Sequence, residues 1–337
     1  MGTALVTGAT GFIGPHLVRV LQQQGDDVIC LRRPRSNVSR LEPLGVRFAM
    51  GDVTDRSGLD AAVRDVHTVY HLAGRTAGFG QQQYLDGNDG GTRNLLEACA
   101  AASSPPTVVH VSSLAAGGPS APSRLRSEGD PSAPVSKYGR SKLASEAAAR
   151  LFAARVPITI ARPPIVLGEG DAAGLALFRS IARTRVHAVP GFRNPRYSIV
   201  HAADLATMLV AAAAQGERLP QQPTDSNFYN GVYYVADDQT PTWAELGRMI
   251  GAAVERKPFV IRVPLLAARI AAFGAEGVAR IRRKPMVFCL DKIREAAAGS
   301  WCCSPAKAQR ELGWKPAQDL QTRLNETAAW YRSEGWL

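Results

Sequence analysis

A doubly wound α/β fold, with a parallel sheet covered by helices on both faces and a smaller C-terminal lobe, is what this sequence predicts. Three observations predict it. Short apolar runs alternate with helical stretches through the first half, a glycine-rich turn follows the first strand directly, and the rhythm changes after about residue 165.

The apolar runs Ala4–Thr7, Val28–Leu31, Arg47–Met50, Thr68–Leu72, Val108–Ser112 and Ile158–Arg162 read as strands. Between them, Pro15–Gln24, Leu59–Arg64, Gly91–Ala102 and Lys137–Ala154 carry apolar residues at helical spacing. Strand–helix alternation implies right-handed crossovers and therefore a parallel sheet. Beyond residue 165, Pro- and Gly-containing loops (Leu167–Gly174, Val189–Pro195, Leu219–Asn230) separate shorter elements. Among these are a strand at Gly231–Ala236 and a helix at Trp243–Val254. This second part reads as a lobe whose elements partly return to the main sheet.

With 337 residues, 45% of them hydrophobic and 20% charged, the chain can bury a sizeable core, which excludes wholesale disorder. No run of about 18 apolar residues lacks a charge, so no membrane-spanning helix is predicted. A strand begins at Ala4 with no basic region before it, so no signal peptide is expected either. The five cysteines (Cys30, Cys99, Cys289, Cys302, Cys303) lack metal-ligand spacing, and the expectation is a cytoplasmic protein without a metal. The net charge of +11 comes from scattered Lys and Arg with clusters at Arg32–Arg35 and Arg280–Lys284. No nucleic-acid-binding spacing accompanies them, so a basic ligand pocket and a solvated surface are expected, not a nucleic-acid partner.

Thr7-Gly8-Ala9-Thr10-Gly11-Phe12-Ile13-Gly14 sits between the first strand and the first helix. Glycines there permit a tight turn, close approach of backbone to a pyrophosphate, and tight helix–strand packing, while the helix N-terminus faces the phosphates. This predicts a Rossmann-type dinucleotide site. At the end of the second strand, sites for NAD place a carboxylate for the ribose hydroxyls, whereas an Arg there pairs with a 2′-phosphate. The chain reads Leu31-Arg32-Arg33-Pro34-Arg35-Ser36, which predicts NADP over NAD.

Tyr138 and Lys142 lie four residues apart, on one helix face. A phenol titrating near 10 is a poor acid–base group at neutral pH, and an adjacent ammonium brings it closer to useful proton transfer. Ser112 and Ser113 end the fifth strand, at the carboxyl edge where open α/β sheets bind ligands.

In this arrangement the chain resembles the extended short-chain dehydrogenase/reductases. That group includes nucleotide-sugar epimerases and dehydratases, 3β-hydroxysteroid dehydrogenases and dihydroflavonol-type reductases. The resemblance spans nearly the whole chain. It runs through Thr7–Gly14, Gly51-Asp52-Val53, His71-Leu72-Ala73-Gly74, Asn88-Asp89-Gly90-Gly91-Thr92, Val111-Ser112-Ser113, Tyr138–Lys142 and Arg162-Pro163-Pro164. It continues through Val200-His201-Ala202-Ala203-Asp204-Leu205 and Glu311-Leu312-Gly313-Trp314-Lys315-Pro316.

The resemblance implies that Tyr138 is the general acid/base and Ser113 orients the substrate oxygen. Lys142 would hold the nicotinamide ribose and lower the Tyr pKa. It implies cofactor contacts at Gly8, Gly11, Phe12, Ile13, Gly14, Arg32, Arg33, Asp52, Val53, Leu72, Ala73, Gly74, Asn88, Pro163 and Ile165. Residues 1–165 would then form the NADP-binding domain carrying the catalytic helix, and residues 166–337 the substrate-binding lobe.

Two departures shape the expectation about substrate. Nucleotide-sugar enzymes of the group carry an Arg just before the His-x-x-Asp segment, and here Tyr197 stands at that place with Arg196 one residue off. The loop that usually reads Tyr-Gly-Pro-Gly is Val166-Leu167-Gly168-Glu169-Gly170. The first resembles the steroid and flavonoid reductase branch, and the second loses the loop's aromatic residue. The expected activity is NADP(H)-dependent interconversion of a secondary alcohol and a ketone on a small, fairly apolar substrate. A nucleotide-sugar epimerase or dehydratase and a non-catalytic NADP-sensing protein are the alternatives. The resemblance also implies a homodimer through the helices near Gly91–Ala102 and Lys137–Ala154.

Val263–Lys284 mixes apolar residues with Arg269, Arg280, Arg282 and Arg283. The reading preferred is a packed helix pair broken at Gly274 and Gly277; an amphipathic flap over substrate or a membrane-surface contact is the alternative. Trp301, Trp314, Trp330 and Trp336 are expected to pack the C-terminal lobe, with a pocket-lining Trp301 as the alternative, and His71 and His110 are expected in the core.

Overall fold

The computed structural model describes residues 2–121, 124–283 and 289–337. The first half runs β1 (Thr3–Thr7), α1 (Gly14–Gln23), β2 (Asp27–Arg32), β3 (Arg47–Met50), α2 (Leu59–Ala62), β4 (Thr68–His71), α3 (Gln81–Leu85) and α4 (Gly91–Ala101). A π-helical turn, Asp86–Gly90, joins α3 to α4. Next come β5 (Thr107–Val111), α5 (Leu114–Gly117), α6 (Lys137–Phe152), β6 (Ile158–Arg162) and β7 (Ile165–Leu167). The second half adds α7 (Leu175–Thr184), β8 (Val186–Pro190), β9 (Ile199–His201), α8 (Ala202–Gln215), β10 (Val232–Tyr234) and α9 (Trp243–Ala253). It ends with β11 (Phe259–Val263), α10 (Leu265–Ile281), α11 (Leu290–Ala297), α12 (Ala306–Leu312) and α13 (Leu320–Ser333).

The main sheet has seven strands in the order β10-β6-β5-β4-β1-β2-β3, and its neighbours pair in parallel. This is the predicted doubly wound α/β architecture, and its six first-half strands lie within a residue of where periodicity placed them. Parallel pairing buries both faces. Leu17, Val18 and Leu21 of α1 pack with Leu205, Met208 and Leu209 of α8 in the core of one face. Leu59 of α2, Leu95 and Cys99 of α4 and Phe152 of α6 fill the other. The direction in which strands are added reverses between β1, from which the chain moves to β2 and β3, and β4, from which it moves toward β10. That switch point opens a crevice at the carboxyl ends of the strands.

The second half divides between two jobs. Elements α8 and β10 return to the main sheet. In contrast, α7, α9 and α13 form a separate core around Phe178, Ile250, Leu324 and Tyr331. Two short parallel pairs, β7 with β9 and β8 with β11, shape the wall between them. Asp204 of α8 ties the C-terminal helix down, accepting two hydrogen bonds from Arg323 at 2.8 and 2.6 Å.

One expectation is overturned. The segment 265–281 is a single helix running through Gly274 and Gly277, not a broken pair, and Lys284 lies outside the described residues. A Cβ at either glycine would meet nothing within 4 Å, so neither marks a forced turn. Each costs about 1 kcal/mol of helix propensity, and the surrounding alanines keep the helix. Nor is its apolar face packed: Ala268 and Ala272 bury against Ile293 of α11, while Leu266, Ile270, Phe273, Val278 and Ile281 stand exposed. No helix among the described residues is long and apolar enough to cross a membrane.

Candidate active site

A continuous cavity of about 1390 Å³ fills the crevice at the switch point. Ligand pockets usually span roughly 300–1,000 Å³, so this one has room for a dinucleotide and a second molecule. Of the sequence-predicted residues, Gly8, Gly11, Phe12, Ile13, Arg33, Asp52, Val53, Leu72, Ala73, Gly74, Ser113, Tyr138 and Ile165 line it.

The residues around β1 fit a dinucleotide. Gly8 has φ +71°, and a Cβ there would stand 2.6 Å from the Ala73 nitrogen. A Cβ on Gly14 would run into the Ala9 carbonyl, so Gly14 serves the tight entry into α1 and does not line the cavity. Helix α1 starts without a side-chain cap or an acidic residue in its first turn. Its N-terminal dipole and free amides therefore face the cavity unneutralised, which suits a phosphate group.

Beside β2 the two predicted arginines part. Arg33 lines the cavity with Ser36, whose Oγ accepts a hydrogen bond from the Arg33 amide at 3.1 Å. Arg32 instead lies over the Phe48 ring, 5.4 Å from its centroid, because β-strand alternation sends it to the other side. Pro164, not Pro163, reaches the cavity wall; the Pro163 carbonyl accepts from the Leu114 amide at 2.8 Å. Asn88 sits one layer behind, in the π-helical turn. Its Oδ1 accepts from the Arg75 amide at 2.7 Å and its Nδ2 donates to Ser141 Oγ at 2.7 Å, which braces the loop of Gly74 against α6.

The two serines at the end of β5 also have separate places. Ser112 is buried and donates to Glu146, whose carboxylate takes a bidentate pair from the buried Arg162 at 2.8 and 2.6 Å. Ser113 lines the cavity beside Tyr138. Burial raises the Tyr138 pKa, while Lys292 and hydrogen bonding with Ser113 act to lower it. Lys142 is turned away: it is buried, it donates to the Val111 carbonyl at 2.7 Å, and burial pushes its pKa down to about 8. Lys142, expected to lower the phenol's pKa, is not among the groups that shift Tyr138 here. Its Nζ lies 3.7 Å from where a Cβ on Gly74 would stand, on the edge of the dinucleotide crevice.

The cation that faces Tyr138 comes from α11. Lys292 Nζ stands 5.4 Å from the centre of the Tyr138 ring and 2.8 Å from Glu295 Oε2. The preceding residue, Asp291, accepts from the Lys137 amide at 3.0 and 2.9 Å and from the Tyr138 amide at 3.3 Å. A carboxylate at a helix N-terminus is stabilised by the dipole, so α11 clamps the first turn of α6 and fixes where Tyr138 points. At the same turn Ser136 caps α6, accepting from the Gly139 amide at 2.9 Å.

The pattern of the NAD dependent epimerase/dehydratase family matches residues 4–227. The chain belongs to that family. It is 32% identical over 344 aligned residues to the ceramide reductase of Caulobacter vibrioides, covering 100% of this chain and 96% of that protein. It is 29% identical to sterol demethylase protein B of Methylococcus capsulatus, covering 99% and 100% of the two chains. Its fold matches that of a UDP-glucose 4-epimerase of Thermus thermophilus solved with NAD, with TM-score 0.76 and 22% identity over 98% of this chain and 99% of that one. The protein is therefore an NAD(P)-dependent enzyme of the epimerase/dehydratase family.

The substrate end of this family member's cavity was the least readable from the sequence. Its walls come from Leu167, Leu177, Pro190, Tyr197, Trp243 and Trp301, joined by small residues of α10 and α11. Trp301 both packs in a buried cluster with Tyr197 and Tyr234 and lines the cavity, so the alternative reading of it applies alongside the preferred one. The lining arginines, Arg33 and Arg75, follow β2 and β4; among the described residues, none comes from the chain after residue 165. Arg196 faces outward, donating to the Thr240 carbonyl at 2.8 Å and lining a separate surface hollow with Arg248 and Arg262. Lys292 and Asp291 escaped the sequence reading because an Asp-Lys pair inside an amphipathic helix has no motif. Only a contact across 153 residues gives them meaning.

Proposed function

We propose that this enzyme transfers hydride between NADP(H) and the carbinol or carbonyl carbon of an apolar substrate, interconverting a secondary alcohol and a ketone. The observation that carries the reading is the cavity beyond Ser113 and Tyr138, walled largely by aliphatic and aromatic side chains; among the described residues its charged lining after residue 165 is Asp171, Lys292 and Glu295, with no guanidinium to meet a sugar-nucleotide diphosphate. The similarity to the Caulobacter ceramide reductase supports the same direction, since that protein's name denotes reduction of a lipid. Arg33, standing in the cavity where a 2′-phosphate would be met, supports NADP over NAD.

When bound, the nicotinamide supplies or accepts the hydride. The protein does the rest. Tyr138 gives its proton to the substrate oxygen during reduction and takes it back during oxidation. Ser113 donates to that oxygen and shares its developing charge. Lys292 holds the phenol within reach of ionisation, and Lys142, beside Gly74, holds the ribose. Association through the outer faces of α4 and α6, where Leu151 is exposed, belongs to the same reading as a homodimer.

The test is stoichiometric. Incubation with NADPH and a series of apolar ketones should give net loss of nicotinamide absorbance, with nucleotide sugars inert. Conversion of a nucleotide sugar without net absorbance change would replace this reading with epimerisation.

A further inference from the structure

Helix α10 has two unlike faces. Ala267, Ala268 and Ala271 border the substrate end of the cavity. On the other side Leu266, Ile270, Phe273 and Ile281 are 69%, 65%, 72% and 84% exposed. At 100° per residue these four fall within an arc of roughly 80°. Isolated exposed apolar residues are ordinary, but a single stripe of four large ones is not. Phe192, 70% exposed, adds to it at the start of the helix, since Gly191 donates to the Val263 carbonyl at 2.7 Å.

The charge around the stripe is predominantly positive; the helix's one carboxylate, Glu276, accepts from the Leu290 amide at 3.0 Å. Arg269 and Arg280 border it on the same edge of the helix, and Arg282 and Arg283 follow its last turn. None of these four is ion-paired with a carboxylate among the described residues. The chain as a whole carries +11. A second copy seated on this face by twofold symmetry would set the guanidinium groups against their own kind.

We infer that α10 seats the protein on an anionic lipid bilayer, its apolar stripe in the headgroup–acyl boundary and its arginines on lipid phosphates. Helices with Lys or Arg beside Phe and Leu lie in that boundary, and each basic residue near an anionic leaflet adds attraction. The same helix borders the cavity, so docking brings the substrate end to the lipid surface. The substrate class is then a membrane-resident ketone or alcohol that passes beside α10 without crossing water. This last step rests on the apolar-substrate reading above; the docking itself does not.

The test uses the full chain loaded with NADPH, sedimented with phosphatidylcholine vesicles and with mixed phosphatidylglycerol/phosphatidylcholine vesicles. Binding should require phosphatidylglycerol and fall with added salt. The double variant Ile270→Asp/Phe273→Asp should lose about tenfold or more of that binding while keeping its Tm and NADPH affinity. Arg269→Glu/Arg280→Glu should lose the preference for phosphatidylglycerol. Absence of wild-type binding, or binding unaffected by both double variants, would overturn the inference. So would a wild-type oligomer that the Asp variants dissolve in the absence of vesicle binding. Because none of these readouts involves turnover, failure of the proposed reaction would leave the docking result standing on its own.

Discussion

In the proposed reading Arg33 and Lys292 each act through a single charge. Removing a guanidinium that pairs with a phosphate costs about 1.5–3 kcal/mol, so Arg33→Ala should weaken NADP binding roughly 10- to 100-fold and leave NAD nearly unchanged. Titration of both dinucleotides into the variant checks this, and Arg32→Ala, which removes a side chain lying on Phe48, should have little effect. For Lys292 the sign follows from its cause. Its ammonium opposes the upward shift that burial imposes on Tyr138. Lys292→Met should therefore raise the phenol's pKa further. In the oxidation direction, where the phenolate takes a proton, the rising limb of kcat against pH should move to higher pH. An unshifted limb would remove Lys292 from the account.

Among the elements, α6 is held at both ends of its working face. Asp291 of α11 clamps its first turn, and farther along Glu146 carries the buried pair with Arg162 on β6. Removing one partner of a buried pair leaves an uncompensated charge and costs about 3–5 kcal/mol. Glu146→Ala should lower stability by that amount in denaturant melts, strand Arg162, and free Ser112; a loss below about 1 kcal/mol would mean the pair is solvated.

The same scale shows how far the sequence could be read. Strands β1 to β6 and the glycine turn were legible because period-two and period-3.6 patterns and turn chemistry are local. The positions of Ser113 and Tyr138 followed from strand ends and helix spacing. Helix α10 misled because glycine is a breaker only where the backbone must turn, and α11 was opaque because its use lies in contacts with a helix 154 residues away. The divergence of Arg32 and Arg33 was implicit in strand alternation, which a count of basic residues overlooks.

At the scale of the whole molecule, three imidazoles are buried in neutral form along the sheet and its crevice. Burial lowers the pKa of His16 to about 4 and of His71 to about 3, and holds that of His110 well below the usual range. In the unfolded chain each would titrate near 6.5. Their contribution to stability is thus fully present above about pH 6.5 and is lost as pH falls toward the folded-state values. At 1.36 kcal/mol per unit, His16 alone can give up on the order of 3 kcal/mol. Thermal melts should hold a steady Tm near neutrality and decline below about pH 6.5. A Tm constant down to about pH 4 would contradict the neutral burial of these rings.

The sheet, the cleft and the clamp converge on one phenol, and its removal is the most direct measurement. With NADPH and an apolar ketone that the wild type consumes, Tyr138→Phe should cut kcat by about 10²- to 10⁴-fold while NADPH affinity stays within about twofold. Activity reduced by less than about tenfold would show that another group moves the proton and that the cavity is not the redox site described.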